Sequence, residues 1–558
     1  MVAKVINLFY REIRGLHQAA YVLALFTLAS QILALVRDRI LANQFGAGYE
    51  LDIYYAAFRI PDLLFVLFAS VLSVYVLLPF VSRSRQGGNE VGRLVLSQMF
   101  TIFLLAYTVV SIITIIIAPV LVTYFFPGFS GESQVEVVLL LRILLLQPLL
   151  LGISSLLGVV TQLQHRFVIY AISPLVYNIG IIIGAVVLYP IFGLVGLVLG
   201  VVLGALGHVA VQIPLVYRSA LAFRLTLNID WKLIRQIGKV AIPRAITLSL
   251  NQLLLIVLVS LASVMTVGSV SVLQFAYNLQ SVPLAIIGMS YSVAAFPTLA
   301  ELLAQKKHQE FNDFVVTALR HIIFWSLPII ALVIVLRAQI VRVLLGSGSF
   351  DWHDTRLTAA ALGLFVVSLT AQSILLLLVR AFYAGGRTRI PFILTLVGTL
   401  VGSVSAYTIY LWFQSSSSVR FFIASIFRLH DVSGTEVLTL PLGFTIGIFV
   451  QVILMMFLLR RTFDLSFGIL RHQIAVATLA AIMGGLFAYG TLNFVVEGVN
   501  QDTFLGIFIQ GLSAGIVGIV GVVATYYVLG SLELREIHRS FRTKLFRTDV
   551  VAPQPDVL

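Results

Sequence analysis

The chain has no cysteine. That excludes a disulfide framework, thiolate catalysis and any cysteine-ligated metal, while leaving the redox compartment open. Charge is almost as scarce: Asp, Glu, Lys and Arg make up 11% of 558 residues, against 60% hydrophobic ones. With a mean hydropathy of +1.05, this balance excludes an ordinary soluble globular protein. Catalytic signatures are missing too. There is no GxxxxGK(S/T), no HExxH and no GxSxG, which removes the P-loop, zincin and nucleophile-elbow chemistries. The nearest glycine-rich stretch, Gly346-Ser-Gly-Ser-Phe350, lacks a strand–helix context and reads as a turn. The nine histidines are scattered without ligand spacing, so neither metal nor cofactor is expected. No cleavable signal peptide is expected either, because the first apolar run is long and lacks a small-residue cleavage site.

Long apolar runs are what the chain does have. They recur throughout, each about 20 residues and long enough to cross a hydrocarbon core about 30 Å thick. Gly, Pro, Ser and Thr interrupt them, whereas a transmembrane barrel would show shorter alternating segments. The fold expected is an all-α polytopic membrane protein with about fourteen spans, near 18–43, 51–82, 94–124, 135–163, 168–189, 192–217, 238–266, 270–303, 315–336, 357–384, 390–413, 438–460, 472–495 and 504–530. The connecting loops alternate in charge. One set carries Lys4, Arg11 and Arg14, then Arg83, Arg85 and Arg93, and so on to Arg535–Arg547; the other is neutral or acidic, with Glu50, Glu132, Glu136, Glu497 and Asp502. The positive-inside rule then puts both termini in the cytoplasm. The net charge of +13 fits topology control and anionic headgroups better than nucleic acid. In the longest outer loop, 414–437, the stretch from Arg420 to Phe427 reads either as an interfacial helix or as a tolerated insertion.

A weak internal repeat organises the spans. Tyr55 and Pro61 are six apart, as are Tyr277 and Pro283, and Gln31 and Gln252 precede the tyrosines by 24 and 25 residues. An even number of segments separates the copies, which implies a parallel repeat of the kind found in two-lobed transporters. The expected layout is a cytoplasmic segment 1–17, a first lobe 18–225, a second lobe 226–465, two further helices in 466–532 and a basic cytoplasmic tail 533–558. Gly196, Gly200 and Gly204 share a helix face, as do Gly511 and Gly515, and read as close helix packing.

One cluster resists a packing explanation. The uncharged run Ala19–Val36 ends in Arg37-Asp38-Arg39, and Asp52, Arg59 and Asp62 follow at the next span. Ionisable groups at membrane depth are costly and need partners, cavity water or substrate. Eighteen residues at 1.5 Å each span about 27 Å, so Arg37 and Arg39 also read as snorkelling flanks. A functional cavity and a structural ion-pair network both remain open.

Along Ser30-Gln-Ile-Leu-Ala-Leu-Val-Arg37-Asp38, Phe45-Gly-Ala-Gly48, Asp52 and Phe58-Arg-Ile-Pro61, the chain resembles the MurJ (MviN) family. These are lipid II flippases of the multidrug/oligosaccharidyl-lipid/polysaccharide exporter superfamily. The likeness continues in order through Ala118-Pro119, Pro127-Gly-Phe129, His165-Arg-Phe167, Pro174, Asn178, Phe275-Ala-Tyr277, Phe296-Pro297, Gly348-Ser-Phe350 and Phe382-Tyr-Ala384. It implies two six-helix lobes around a central cationic cavity, with segments 13 and 14 forming a groove for the lipid tail. It also implies transport without catalysis: an undecaprenyl-pyrophosphate head group moves from the cytoplasmic to the outer leaflet of a bacterial inner membrane, by alternating access and with a coupling ion unspecified. The cavity residues it implies are Arg37, Asp38, Asp52 and Arg59, and Arg39 joins them as a further basic group for the pyrophosphate. Gln31 and Asn278 also belong to the cavity, but they stand where the family has arginine, as does Phe65. Three alternatives follow from those departures: a flippase for another polyprenyl-linked oligosaccharide, a cation-coupled exporter of small amphiphiles, and a non-transporting membrane scaffold.

Overall fold

The computed structural model describes residues 16–74, 76–77, 80–81, 89–465, 468–496 and 503–537. Most of the expected N-terminal segment 1–17, most of the tail 533–558, and Pro79, Arg83, Arg85, Glu497 and Asp502 lie outside these. The described residues form helices and no strand. In chain order the longer helices are α1 (Leu16–Phe45), α2 (Tyr49–Val71), α3 (Asn89–Phe125), α4 (Glu132–Leu144), α5 (Leu146–Leu163), α6 (Phe167–Ile183), α7 (Leu194–Ala210) and α8 (Trp231–Ser263). They continue as α9 (Ser269–Leu284), α10 (Ser290–Ala304), α11 (His308–Leu344), α12 (Trp352–Val367), α13 (Leu369–Ala384), α14 (Arg389–Ser415), α15 (Ser417–Phe427), α16 (Thr439–Phe463), α17 (Gly468–Val496) and α18 (Phe504–Val528).

Twelve helical stretches are long and apolar enough to cross a membrane, or thirteen when α12 and α13, bent by 44°, count as one span. The expected first segment is the continuous helix α1, which stands outside that count, so the full fourteen are not established. Most expected boundaries fall within a few residues of the observed helices. The second segment differs: its helix ends at Val71 rather than running toward 82. There Ser70 Oγ donates to the Val66 carbonyl, and Ser73 Oγ donates to that of Ser70 at 2.9 Å. Such hydroxyl-to-carbonyl bonds compete with the helical ladder.

The chain packs as two compact units. The first comprises Met1–Val282, Leu344–Phe365 and Arg387–Gln451; the second comprises Pro283–Val343, Val366–Gly386 and Val452–Leu558. In the first, α6 and α7 meet along glycines. A Cβ on Gly200 would lie 2.2 Å from the Gly184 Cα, and one on Gly204 2.4 Å from the Tyr177 carbonyl oxygen. The stripe expected from sequence is therefore a backbone-to-backbone seam.

The neutral-loop end of this unit is closed by interlocking turns. Ser349 N–H donates to the Asn43 carbonyl at 2.8 Å. Gly348 is left-handed at φ +58°, and a Cβ there would sit 2.3 Å from that same carbonyl oxygen. Ala47 N–H donates to Asp354 Oδ2 at 2.9 Å, and Gly128 N–H to Ser263 Oγ at 3.2 Å. The loop after α14 is fastened there as well. Arg356 grips Asp431 with two bonds of 2.6 and 2.8 Å, and Thr266 N–H donates to Glu436 at 3.1 Å. Within that loop α15 is a true helix, capped by the Ser416 hydroxyl and ended by left-handed Arg428.

In the second unit α17 and α18 form a hairpin. Gly518 brings α18 against α17 and α11, where a Cβ would meet Leu332 at 2.5 Å and Ala488 at 3.0 Å. Tyr526 stacks on Phe324 at 4.2 Å and donates to its carbonyl at 2.7 Å. Just beyond α18, Glu533 is buried and accepts from Arg320 Nε at 2.8 Å and from Ser531 at 2.7 Å. Burial alone raises the Glu533 carboxyl. The hydrogen bonds from Ser531, its own backbone and Arg320 outweigh that and hold it below the usual carboxylate range.

Candidate functional site

The ionic cluster singled out in the sequence lies entirely within the first unit, and the fold gives its members two different tasks. Asp52 sits in the first turn of α2 and is buried. Its carboxylate accepts from Gly268 N–H at 2.6 Å, from Ser271 N–H at 2.8 Å and from Ser271 Oγ at 2.7 Å. These donors belong to the start of α9, whose opening N–H groups have no partner within their own helix. Asp52 therefore caps α9 from another helix, with its negative charge at the positive end of the α9 dipole.

Deeper in the bundle, five side chains form one unbroken line of hydrogen bonds. Arg37 Nε and Nη2 donate to Asp38 Oδ1 at 2.9 and 2.7 Å. Asn278 Nδ2 donates to Asp38 Oδ2 at 3.0 Å, and Gln274 Nε2 donates to Asn278 Oδ1 at 2.6 Å. Arg59 Nη2 closes the line by donating to Gln274 Oε1. Arg37 Nη1 reaches a third element, donating to Asn178 Oδ1 on α6 at 3.0 Å. The local reason is spacing. Gln274 and Asn278 are four apart and share one face of α9, as Tyr55 and Arg59 do on α2.

Burial makes this arrangement costly. Asp38, Asp52 and Arg59 are 3%, 5% and 5% exposed in the midst of apolar helices. Arg59 Nε and the Tyr55 hydroxyl are buried without a hydrogen-bond partner among the described residues. Tyr55 packs edge-on against Phe275 at 5.9 Å. Asp62, a turn beyond Arg59, acts on it electrostatically and is itself hydrogen-bonded by Gln147. Arg37 is thus paired with Asp38, and Asp62 acts on Arg59, so carboxylates offset positive charge at both ends of the line.

Of the residues expected from sequence, the fold joins Arg37, Asp38 and Asn278 directly and Arg59 through Gln274, and places Asp52 at the neutral-loop end of the same helices. Arg39 and Gln31 are half-buried on α1, and neither belongs to the connected line. Sequence reasoning missed Gln274 and left Asn178 without a role. The available signal was two carboxamides four apart in an apolar helix. Elsewhere among the described residues, Asp351, His353 and Asp354 bring potential metal-ligand atoms within 4.8 Å. Their carboxylates already serve local structure: Asp351 Oδ1 accepts Asp354 N–H, and Asp354 Oδ2 accepts Ala47 N–H.

The chain is similar to the lipid II flippase MurJ of Burkholderia cenocepacia, 24% identical over 499 residues, covering 88% of this chain and 92% of that protein. A probable lipid II flippase MurJ of Buchnera aphidicola is 28% identical over 399 residues, covering 70% and 78%. Among solved structures, a lipid II flippase MurJ in an inward closed conformation superposes with a TM-score of 0.71 at 21% identity, covering 91% of this chain and 99% of that one. An inward-facing multidrug resistance MATE transporter of the MOP superfamily gives 0.65 at 15% identity, covering 78% and 94%. These two likenesses show the fold. The model of the family described as lipid II flippase MurJ matches residues 41–417, more than half of the chain, and the chain belongs to that family.

Proposed function

We propose that this chain is a lipid II flippase, a transporter with no chemical step of its own. It carries the pyrophosphate-linked head group from the cytoplasmic to the outer leaflet by alternating access of the lobes 18–225 and 226–465. The observation that carries this reading is the largely buried line from Arg37 to Arg59, with Arg59 Nε left unsatisfied among the described residues, in a chain of this family. Guanidinium forks match phosphate oxygens bidentately. A head group drawn into such a site exchanges its hydration for fixed donors, avoiding the cost of an ion in hydrocarbon. The polyprenyl tail never has to leave an apolar environment. The surface of α18 around Ile519, Val520, Val523 and Tyr527 is wholly apolar and suits the tail groove assigned to 466–532. In this reading both termini are cytoplasmic and the neutral-loop end faces outward, in keeping with the loop charges.

A second reading keeps the fold and changes the glycan: a flippase for another polyprenyl-linked oligosaccharide. Asn278, Gln31 and Phe65 favour it, standing where the resemblance leads one to expect arginine. Complementation separates the two. In a bacterium depleted of its own lipid II flippase, this chain restores growth and outer-leaflet lipid II. Arg37→Ala and Arg59→Ala abolish the rescue, and Arg337→Ala does not. Absence of rescue despite normal membrane expression rejects lipid II as cargo.

A further inference from the structure

The donors and acceptors of the buried line run in one direction. Arg59 donates to the oxygen of Gln274, the nitrogen of Gln274 to the oxygen of Asn278, and the nitrogen of Asn278 to Asp38. Arginine can only donate and a carboxylate can only accept, so the two amides are fixed in this orientation. Flipping either would set donor against donor. The line also joins elements far apart in sequence: α1 and α2 supply the charged ends, and α9 supplies both neutral links.

The two ends are unequally held. Arg37 has a carboxylate and an amide as partners. Arg59 has a single neutral carbonyl partner in this line, and its Nε is buried without one. A phosphate oxygen is a stronger acceptor for guanidinium than an amide carbonyl, so an anionic group reaching this site takes Arg59 first. Gln274 Oε1 then loses its donor. An anion that also engages Arg37 faces Asp38 at close range, and the last link to α9, Asn278 to Asp38, bears that repulsion.

We propose that Gln274 is a positioning residue of the cargo site, holding Arg59 while the site is empty and surrendering it to a pyrophosphate head group, so that occupancy unfastens α9 from α1 and α2. The inference rests on the flippase reading and adds the link between cargo and closure. It differs from simple polar glue between helices, which would hold α9 equally with or without cargo.

Because the chain has no cysteine, a single reporter is clean. Val270 is fully buried in the first turn of α9, and Val270→Cys reports closure through its rate of reaction with a membrane-impermeant maleimide. The full chain in nanodiscs is labelled with and without purified lipid II. In the reporter parent, lipid II speeds labelling. Adding Gln274→Ala speeds it about thirtyfold without lipid II, the effect of losing one hydrogen bond to a charged group, and lipid II then adds little. Adding Gln274→Glu gives Arg59 a carboxylate partner that a head group no longer displaces, so lipid II no longer speeds labelling, while the lost donor to Asn278 Oδ1 raises the basal rate. The proposal is overturned if both variants keep the parent's basal rate and its full lipid II response. It is also overturned if Gln274→Ala is fast yet lipid II speeds it by the parental factor, the result expected of glue. Should Gln274→Ala not fold, Gln274→Glu decides alone by the loss or retention of the lipid II response. If lipid II leaves the parent unchanged while Gln274→Ala is fast, and inorganic pyrophosphate speeds the parent, the cargo assignment fails and the role of Gln274 stands.

Discussion

Asp52→Asn isolates the clasp between α2 and the start of α9. The native carboxylate accepts three bonds between 2.6 and 2.8 Å from Gly268 and Ser271. Asparagine keeps an oxygen for Ser271 but turns an amide NH2 toward the Gly268 N–H, so one charge-assisted bond is replaced by a donor–donor contact. Hydrogen bonds to charged groups contribute about 1.5–3 kcal/mol, so the closed state loses about 2 kcal/mol, roughly a thirtyfold shift in the closure equilibrium. Asp52→Ala leaves both N–H groups and the hydroxyl without that acceptor, a cost of about 4 kcal/mol and roughly a thousandfold shift. The assay is maleimide labelling of Val270→Cys in intact cells and in nanodiscs, beside a thermal melt of the same protein. Labelling should accelerate in the order parent, Asn, Ala, while the melting temperature falls much less, because water satisfies the donors once the end opens. Refutation would be a lower melting temperature in both variants with labelling unchanged. Asp52 would then stabilise the fold without holding the end closed.

Other consequences follow from the packing and the ion pairs. Gly200→Val places a branched side chain where even a Cβ lies 2.2 Å from the Gly184 Cα; a loss of about 3 kcal/mol is expected from overpacking, read as a lower melting temperature and lower yield of folded protein. Glu533 has a depressed folded-state pKa, so its contribution is present above the carboxylate's unfolded pKa and is lost as pH falls through the depressed value. Hydrogen exchange around residues 529–537 should therefore quicken on acidification below the usual carboxylate range. Glu533→Gln should show the quick exchange already at neutral pH and little further change with acid.

Some of the molecule was legible without its structure. Apolar runs of membrane length, broken by basic and neutral loops in alternation, determine a polytopic helical bundle, because hydrocarbon leaves the backbone no other way to satisfy its polar groups. The glycines at 196, 200 and 204 announced close packing, since spacing alone puts them on one face. The isolated charges at Arg37, Asp38, Asp52 and Arg59 announced a site, since charge in so apolar a chain requires partners. Partner identity is another matter. Asp52 and Ser271, or Arg59 and Gln274, are joined by side chains reaching across helices more than two hundred residues apart, and no local pattern encodes such a meeting. Only the tertiary structure decided that Asp52 caps α9 while Asp38 ends a relay of amides. Only it decided that Asp38 pairs with Arg37 and that Gln274, unremarkable in an apolar helix, occupies the acceptor position beside Arg59. The physical reason is that burial and pairing belong to the assembled bundle, whereas hydropathy and helical spacing belong to the chain.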